Sequence, residues 1–276
     1  MESILYQPLW RVIDQSTLGP SFEAKQSFAI DDALCHSVGY GESSCIARTW
    51  VHHNTIILGI QDSRLPHLKD GLDYLASENH HYVVRNSGGL AVVLDEGVLN
   101  ISLIFPEREH NVSIDQGYEA MVDFVRKMLH PYGVVFEDRE IVGSYCPGRY
   151  DLSVGGKKFA GISQRRLRRG VAVQIYLCVD GSGSKRAEVV GEFYKRSLKG
   201  EVTRFEYPVI KPETMASLSE LTGKPLTVRE IMNQFYQTLQ RFGSVVPSGL
   251  TEDEAKRFDD YYRRMIERNE KAFDFN

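Results

Sequence analysis

Short β-rich runs between His81 and Val179, broken by one strongly amphipathic segment, limit this chain more than any other feature. "HYVVRN", "GLAVVLD" and "GVLNISLIF" come first, and "GVAVQIYLCV" closes the series. In the third run Val98, Asn100, Ser102 and Ile104 alternate with Leu99, Ile101, Leu103 and Phe105, the period of a strand with one face more buried. The last run places Val171, Val173, Ile175 and Leu177 on one face, and Gln174 interrupts its apolar character. From Ser113 to His130 the period changes to that of a helix. Tyr118, Met121, Val122, Val125, Met128 and Leu129 form one stripe, ended by Pro131.

The flanks extend this pattern. Pro20–His36 reads as a helix with Pro20 in its first turn and Gly39 just past its end. "CIARTWVH" and "NTIILGI" read as strands with His52, His53 and Asn54 turning between them, and "HLKDGLDYLASEN" as a short helix. After Asp180 a Gly/Ser turn leads into helices. Two of them open at Thr227 and Thr251, each followed three residues later by Glu230 or Glu254, the capping-box spacing. Val228, Ile231, Met232, Phe235 and Leu239 form the inner stripe of one; Phe258, Tyr261, Tyr262 and Met265 form that of the other. The expectation is an α+β fold of mixed β-sheets flanked by helices, with a helical C-terminal part starting near 200–215.

Charge excludes some partners. The chain carries 33 basic and 37 acidic side chains, a net charge of −4, so no global positive field is present to hold nucleic acid. No segment approaches the roughly 20 apolar residues of a membrane span, and "MESILYQPLWRVID" lacks the basic start and apolar run of a leader. Cys35, Cys45, Cys146 and Cys178 have no C-x-x-C spacing, which suits thiols in a reducing cytoplasm.

Three stretches can carry chemistry. In "GSYCPGRYDLSVGGKKFAG", Cys146 precedes Lys157 and Lys158. A free thiol has a pKa of about 8.5, and an ammonium folded back beside it favours the reactive thiolate. Adjacent strand residues point to opposite faces, so only one of the two lysines can serve the thiol. The alternative is a buried thiol without chemistry, and Cys178 fits that description better. In "VVRNSGGLAVVLDEG", Gly88 and Gly89 allow either a plain hairpin turn or close approach of a ligand to backbone, with Arg85 and Ser87 as nearby donors. The stretch matches neither a phosphate-binding loop nor a dinucleotide fingerprint. "QRRLRRG" gathers Arg165, Arg166, Arg168 and Arg169, either a solvated turn or a docking patch for an acidic protein domain. His52–His53 and His80–His81 lack metal-ligand spacing, so no metal is expected.

"VRNSGGLAVVLDEGVLNIS" followed by "GRYDLSVGGKKFAGISQRR" resembles the lipoate-protein ligase and octanoyltransferase family over roughly 47–250. Arg85, Ser87, Gly88, Gly89, Asp95 and Gly97 match the first motif, whereas Val84, Leu90 and Leu94 replace an arginine, a glycine and a histidine. Gly148, Asp151, Leu152, Gly156, Lys158 and Gly161 match the second, a register that selects Lys158 over Lys157. "GSYCPG" with "KKFAG" is similar to the octanoyl amidotransferase subgroup of Gram-positive bacteria.

The resemblance implies a lipoate/biotin-protein ligase-like catalytic domain over 1–210, with core motifs at about 47–180, and a helical part over 211–276 packed on it. It implies Cys146 and Lys158 as catalytic residues. Substrate would be held by Arg85, Ser87, Gly88, Gly89, Leu90 and Gly161, with Leu90 and Val92 as candidate walls of an acyl tunnel. Glycine cleavage H protein would donate octanoyl (or lipoyl), E2 lipoyl domains would accept it, and neither ATP nor metal would be required. Nucleic acid and membrane are not expected partners. Transfer from octanoyl-acyl carrier protein, ATP-dependent lipoate ligation, and carrier-domain binding without turnover are the competing readings.

Overall fold

The computed structural model describes residues 3–107 and 112–275. The outer ends of the two expected parts, residues 1–2 and 276, lie outside the described residues, as does the start of the stretch read against a leader. Strand β1 (Leu9–Gln15) and helix α1 (Ala24–Gly39) precede β2 (Cys45–Trp50) and β3 (Thr55–Leu58). Next come α2 (Leu68–Ser77), β4 (His81–Val84), β5 (Val92–Leu94), β6 (Val98–Pro106) and α3 (Ile114–Leu129). The middle holds β7 (Glu137–Asp138), β8 (Leu152–Val154), β9 (Lys157–Leu167), β10 (Gly170–Cys178) and α4 (Gly183–Leu198). Beyond them lie α5 (Leu218–Thr222), α6 (Val228–Leu239), β11 (Ser244–Pro247) and α7 (Glu252–Ala272).

The strands form two mixed sheets, as the β-rich runs require. Eight strands order as β11-β1-β2-β6-β10-β9-β8-β7, and three as β4-β3-β5. β1 pairs in parallel with both β11 and β2; β2, β6, β10 and β9 then pair antiparallel in turn. Alternation sorts the faces of the large sheet. Leu99, Ile101, Leu103, Phe105, Val171, Val173, Ile175 and Leu177 enter one core with α3 and α6. On the other face Val98, Tyr176 and Cys178 pack with residues of the small sheet. α1 covers Ile46, Ile104 and Ala172 on that second face.

Cap chemistry sets the helix starts. Ser113 and Gln116 bond reciprocally at the start of α3, as do Thr227 and Glu230 at α6 and Thr251 and Glu254 at α7. α1 differs from the sequence expectation. It begins at Ala24, because the Glu23 N–H is held by Gln26 Oε1 (2.9 Å) and Phe22 is still in a turn closed onto the Gly19 carbonyl. Gly39 is the last residue of this helix rather than its stop. A Cβ there would lie 2.2 Å from the Arg168 carbonyl oxygen, so glycine serves the approach of the β9–β10 turn. Besides the expected helices, the C-terminal part supplies the edge strand β11, which the sequence pattern did not reveal.

The second face carries a polar band within an apolar layer. Register places Arg48, Ser102, Gln174 and Ser163 side by side across β2, β6, β10 and β9. The adjacent row is Trp50, Asn100, Tyr176 and Gly161. Asp31 of α1 binds both Arg48 (2.7 Å) and Gln174 (2.6 Å), so the buried arginine has an anionic partner. This band forms part of the wall of the cavity described next.

Candidate active site

The β8–β9 hairpin turns on Gly155 and Gly156, both with positive φ, and this reversal brings a lysine back beneath the Cys146 loop. Lys157 is exposed and Lys158 is wholly buried, as opposite-facing strand neighbours should be. Lys158 Nζ donates to the carbonyls of Tyr145 (2.9 Å) and Cys146 (2.8 Å) and pairs with Asp151 Oδ1 at 2.9 Å. An ammonium has three hydrogens, and all three are used. Asp151 Oδ2 accepts from the N–H groups of Ile141 (3.2 Å) and Gly148 (3.1 Å). Burial raises the Asp151 pKa, and Lys158 opposes that rise.

This buried pair holds an unusual backbone. Cys146 has φ +45°, a left-handed conformation that side-chain-bearing residues seldom adopt, and the Lys158 clamp grips its carbonyl. The sulfur therefore projects toward the glycine loop. Cys146 Sγ accepts from the Leu90 N–H at 3.1 Å and from Arg85 Nη2 at 3.5 Å. Arg85 Nη2 also donates to the Leu90 carbonyl at 2.7 Å, so one guanidinium orders both the loop and the sulfur. Behind the loop, the Ala91 N–H donates to the Tyr194 hydroxyl (3.2 Å), which donates to Asp62 Oδ1 (2.9 Å).

The plain hairpin reading of Gly88–Gly89 does not hold. β4 and β5 pair with opposite sides of β3, parallel and antiparallel, so the connecting loop crosses over the end of β3. Gly89 is required there. Its φ is +107°, and a Cβ would lie 2.1 Å from Arg85 Nη2 and 2.9 Å from Cys146 Sγ. Gly88 has nothing within 4 Å of such a Cβ.

A cavity of about 280 Å³ opens at Cys146. That is near the lower end of the roughly 300–1,000 Å³ usual for small-molecule sites. Phe28, Trp50, Ile57, Val92 and Leu94 supply apolar wall; Asn100 and Gln174 represent the polar band. Arg85, Ser87, Gly88, Gly89 and Gly161 all line it, as does Asp151. Two expected residues stand elsewhere. Leu90 is not part of the wall and contributes its backbone N–H to sulfur instead, while Lys158 lies behind the Cys146 loop.

The four arginines are divided. Arg165 is bidentate to Asp32 (2.8 and 3.0 Å), and Arg166 reaches Glu107 Oε1 and the Val112 carbonyl, both at 2.9 Å. Arg168 and Arg169 are the exposed central residues of the two-residue β9–β10 turn, with φ +52° and +65°. His52 is buried between Ser27 Oγ (2.9 Å) and the Phe22 carbonyl (3.0 Å), and burial lowers its pKa to about 4. Among the described residues no group of three or more His, Cys, Asp or Glu could hold a metal ion. Among the described residues no helix is long and apolar enough to cross a membrane, and no cysteine forms a disulfide.

Sequence reasoning did not single out Phe28, Trp50, Asn100 or Tyr176 as site residues. A partial signal was present: Asn100 and Ser102 on one face of an otherwise apolar strand, and Gln174 within another, are polar groups that burial makes costly without a reason.

Comparison with known proteins bears on the family and the fold. Residues 23–240 match the family model of the lipoyl protein ligase A/B catalytic domain. The chain is 58% identical over 271 residues to an octanoyl-[GcvH]:protein N-octanoyltransferase of Anoxybacillus flavithermus, covering 98% of each chain. It is also 58% identical to the Bacillus velezensis protein of the same name, covering 98% of this chain and 95% of that one. A crystal structure of lipoate-protein ligase A bound with ATP superposes with a TM-score of 0.70 at 18% identity, over 94% of this chain and 95% of that one.

Proposed function

The chain belongs to the lipoyl protein ligase A/B catalytic-domain family, and we propose that it moves an octanoyl (or lipoyl) group between protein lysines through a thioester on Cys146. It is an acyltransferase of protein lipoylation. The donor is the octanoylated lysine of glycine cleavage H protein, as the names of its relatives indicate for those proteins. The acceptor is the lysine of E2 lipoyl domains. One observation carries the reading: a sulfur at the mouth of an apolar-walled cavity, held by the Leu90 N–H and the Arg85 guanidinium.

In the first half-reaction the Cys146 thiolate attacks the donor amide carbon. The C–S bond forms, the C–N bond breaks, and the donor lysine leaves as an amine that takes up one proton. In the second, a neutral acceptor lysine attacks the thioester carbon, the C–N bond forms, sulfur departs and the amine loses its proton. Arg85 and the Leu90 N–H stabilise negative charge on sulfur and then on the acyl oxygen beside it. Lys158 and Asp151 hold the Cys146 backbone, with the Lys158 charge nearby, while the acyl chain enters the cavity. Each buried methylene contributes about 0.8 kcal/mol, so cavity depth selects chain length. Exchange of one lysine amide for another is close to thermoneutral, so the reaction needs neither ATP nor metal.

The work belongs in the cytoplasm, a reading supported by four cysteines outside any disulfide. Of the basic segment, the exposed tip of Arg168 and Arg169 docks the acidic carrier domains, whereas Arg165 and Arg166 are held by Asp32 and Glu107. Intact-protein mass spectrometry after incubation with an octanoyl thioester tests the nucleophile. One octanoyl group should appear on the wild-type chain and none on Cys146→Ala; equal loading of that variant refutes the assignment.

A further inference from the structure

Acyl transfer needs a hydrogen-bond donor where the carbonyl oxygen gains charge. The Lys158 ammonium is poorly placed for that task, because its three hydrogens are held by Tyr145, Cys146 and Asp151 and it lies outside the cavity wall. Tyr176 is placed differently. It stands on β10 in the wall that also contains Cys146, and the residue is only 7% exposed. Among the described residues its hydroxyl has no hydrogen-bond partner. A buried hydroxyl without a partner is costly to keep, so its retention calls for a ligand atom. Burial raises its pKa well above the ordinary value, with charge on Tyr145, Cys178, Asp151 and Cys146 adding to the rise, so the hydroxyl keeps its proton at neutral pH.

The neighbouring glycine fits the same role. Gly161 pairs with Tyr176 across β9–β10, and a Cβ there would lie 2.6 Å from the Tyr176 ring and 3.1 Å from its hydroxyl oxygen. Only glycine lets the ring lie across β9 in this position. Tyr145 also packs against the ring, with ring centroids 5.9 Å apart. The phenol is thus a fixed group, and fixed donors are the effective ones in catalysis.

We infer that Tyr176 is a further catalytic residue, its hydroxyl donating a hydrogen bond to the acyl carbonyl oxygen during transfer to and from Cys146. The inference rests on the thioester reading above. As sulfur bonds to the carbonyl carbon, the C=O π pair moves to oxygen, which the Tyr176 hydroxyl hydrogen and a backbone N–H of the glycine loop hold together. Collapse restores the C=O bond and expels the leaving group with its electron pair; an amine leaves with the proton that the thiol gave up. Tyr176 remains protonated throughout.

The test is Tyr176→Phe, which removes one oxygen and keeps the ring. Rates of loading from S-octanoyl-N-acetylcysteamine, read by intact mass, should fall about 100-fold, the scale of losing one such donor. The melting temperature should be unchanged or higher, because an unpartnered buried hydroxyl is removed. Loading within twofold of wild type, with Cys146→Ala unloaded, overturns the role of Tyr176 and leaves the thioester reading intact. Loading of Cys146→Ala overturns both. Should Tyr176→Phe lose stability, 3,5-difluorotyrosine at 176 decides. That residue keeps a hydroxyl that is a stronger donor, so loading should stay within a few-fold of wild type, and a loss as large as that of Tyr176→Phe overturns the proposal.

Discussion

Two adjacent glycines should respond in opposite ways to the same added methyl group. Gly89→Ala places a Cβ 2.1 Å from Arg85 Nη2 and 2.9 Å from Cys146 Sγ, at a φ of +107°. The backbone conformation alone costs an alanine about 1–2 kcal/mol. Relief of the overlap requires the Arg85 guanidinium to move, which breaks its 2.7 Å bond to the Leu90 carbonyl. A hydrogen bond to a charged group contributes about 1.5–3 kcal/mol, so the expected loss is about 2.5–5 kcal/mol. Gly88→Ala meets nothing within 4 Å and lies outside the positive-φ region, so it should be neutral or stabilise by up to about 1 kcal/mol. Urea unfolding of both variants measures the difference, and thioester loading measures the site. Gly89→Ala should lose loading even where it is folded, since Arg85 no longer reaches sulfur. Equal stabilities for the two variants, or full loading of Gly89→Ala, would refute the argument that this loop is built around the sulfur.

Asp151→Asn leaves the buried Lys158 ammonium without its anion, and breaking such a pair should cost about 3–5 kcal/mol; a urea-derived change under 1 kcal/mol would contradict the clamp. Two buried groups give opposing pH slopes. His52 is neutral when folded, with its pKa lowered to about 4 by burial, so the unfolded chain binds the extra proton and stability rises with pH from about 4 to 6.5 by roughly 3 kcal/mol. Burial raises Asp62 to about 6, so the folded chain binds the extra proton and stability falls by a similar roughly 3 kcal/mol as pH rises from about 4 to 6. Relative to wild type, Asp62→Asn should therefore gain stability with rising pH in that window and His52→Asn should lose it, as read from urea midpoints at each pH. Replacing Arg168–Arg169 by Asn-Gly suits the two positive φ values and should stabilise the turn by about 1–2 kcal/mol. The same double substitution should slow transfer between carrier proteins and weaken its salt dependence; an unchanged rate removes the turn from the docking patch.

The strands of the two sheets were legible where a period of two had a face to report. β6 and β10 are examples, because each keeps four consecutive inward positions apolar. Capping boxes at Thr227 and Thr251 involve residues three apart, and the bonding occurs at those residues. β11 was hidden because Ser244–Pro247 is a short edge segment with little alternation, and its place beside β1 is a long-range pairing. The crossing of the glycine loop was hidden for a related reason: two β-rich runs with glycines between them look alike whether they pair with each other or with a third strand.

Local sequence decided which groups are available. The doublet of lysines on one strand, with opposite-facing neighbours, allowed only one buried lysine, and the Gly155–Gly156 turn allowed the chain to return toward Cys146. Sequence could not say that this lysine would spend every hydrogen on two carbonyls and Asp151, nor that the sulfur would answer to Leu90 and Arg85 from a loop 56 and 61 residues away. Nor could it place Tyr176 in the same wall as Cys146. Periodicity along a chain encodes which face a side chain takes, whereas partners across a cavity are set by how sheets stack and loops cross, and those depend on the whole packed structure.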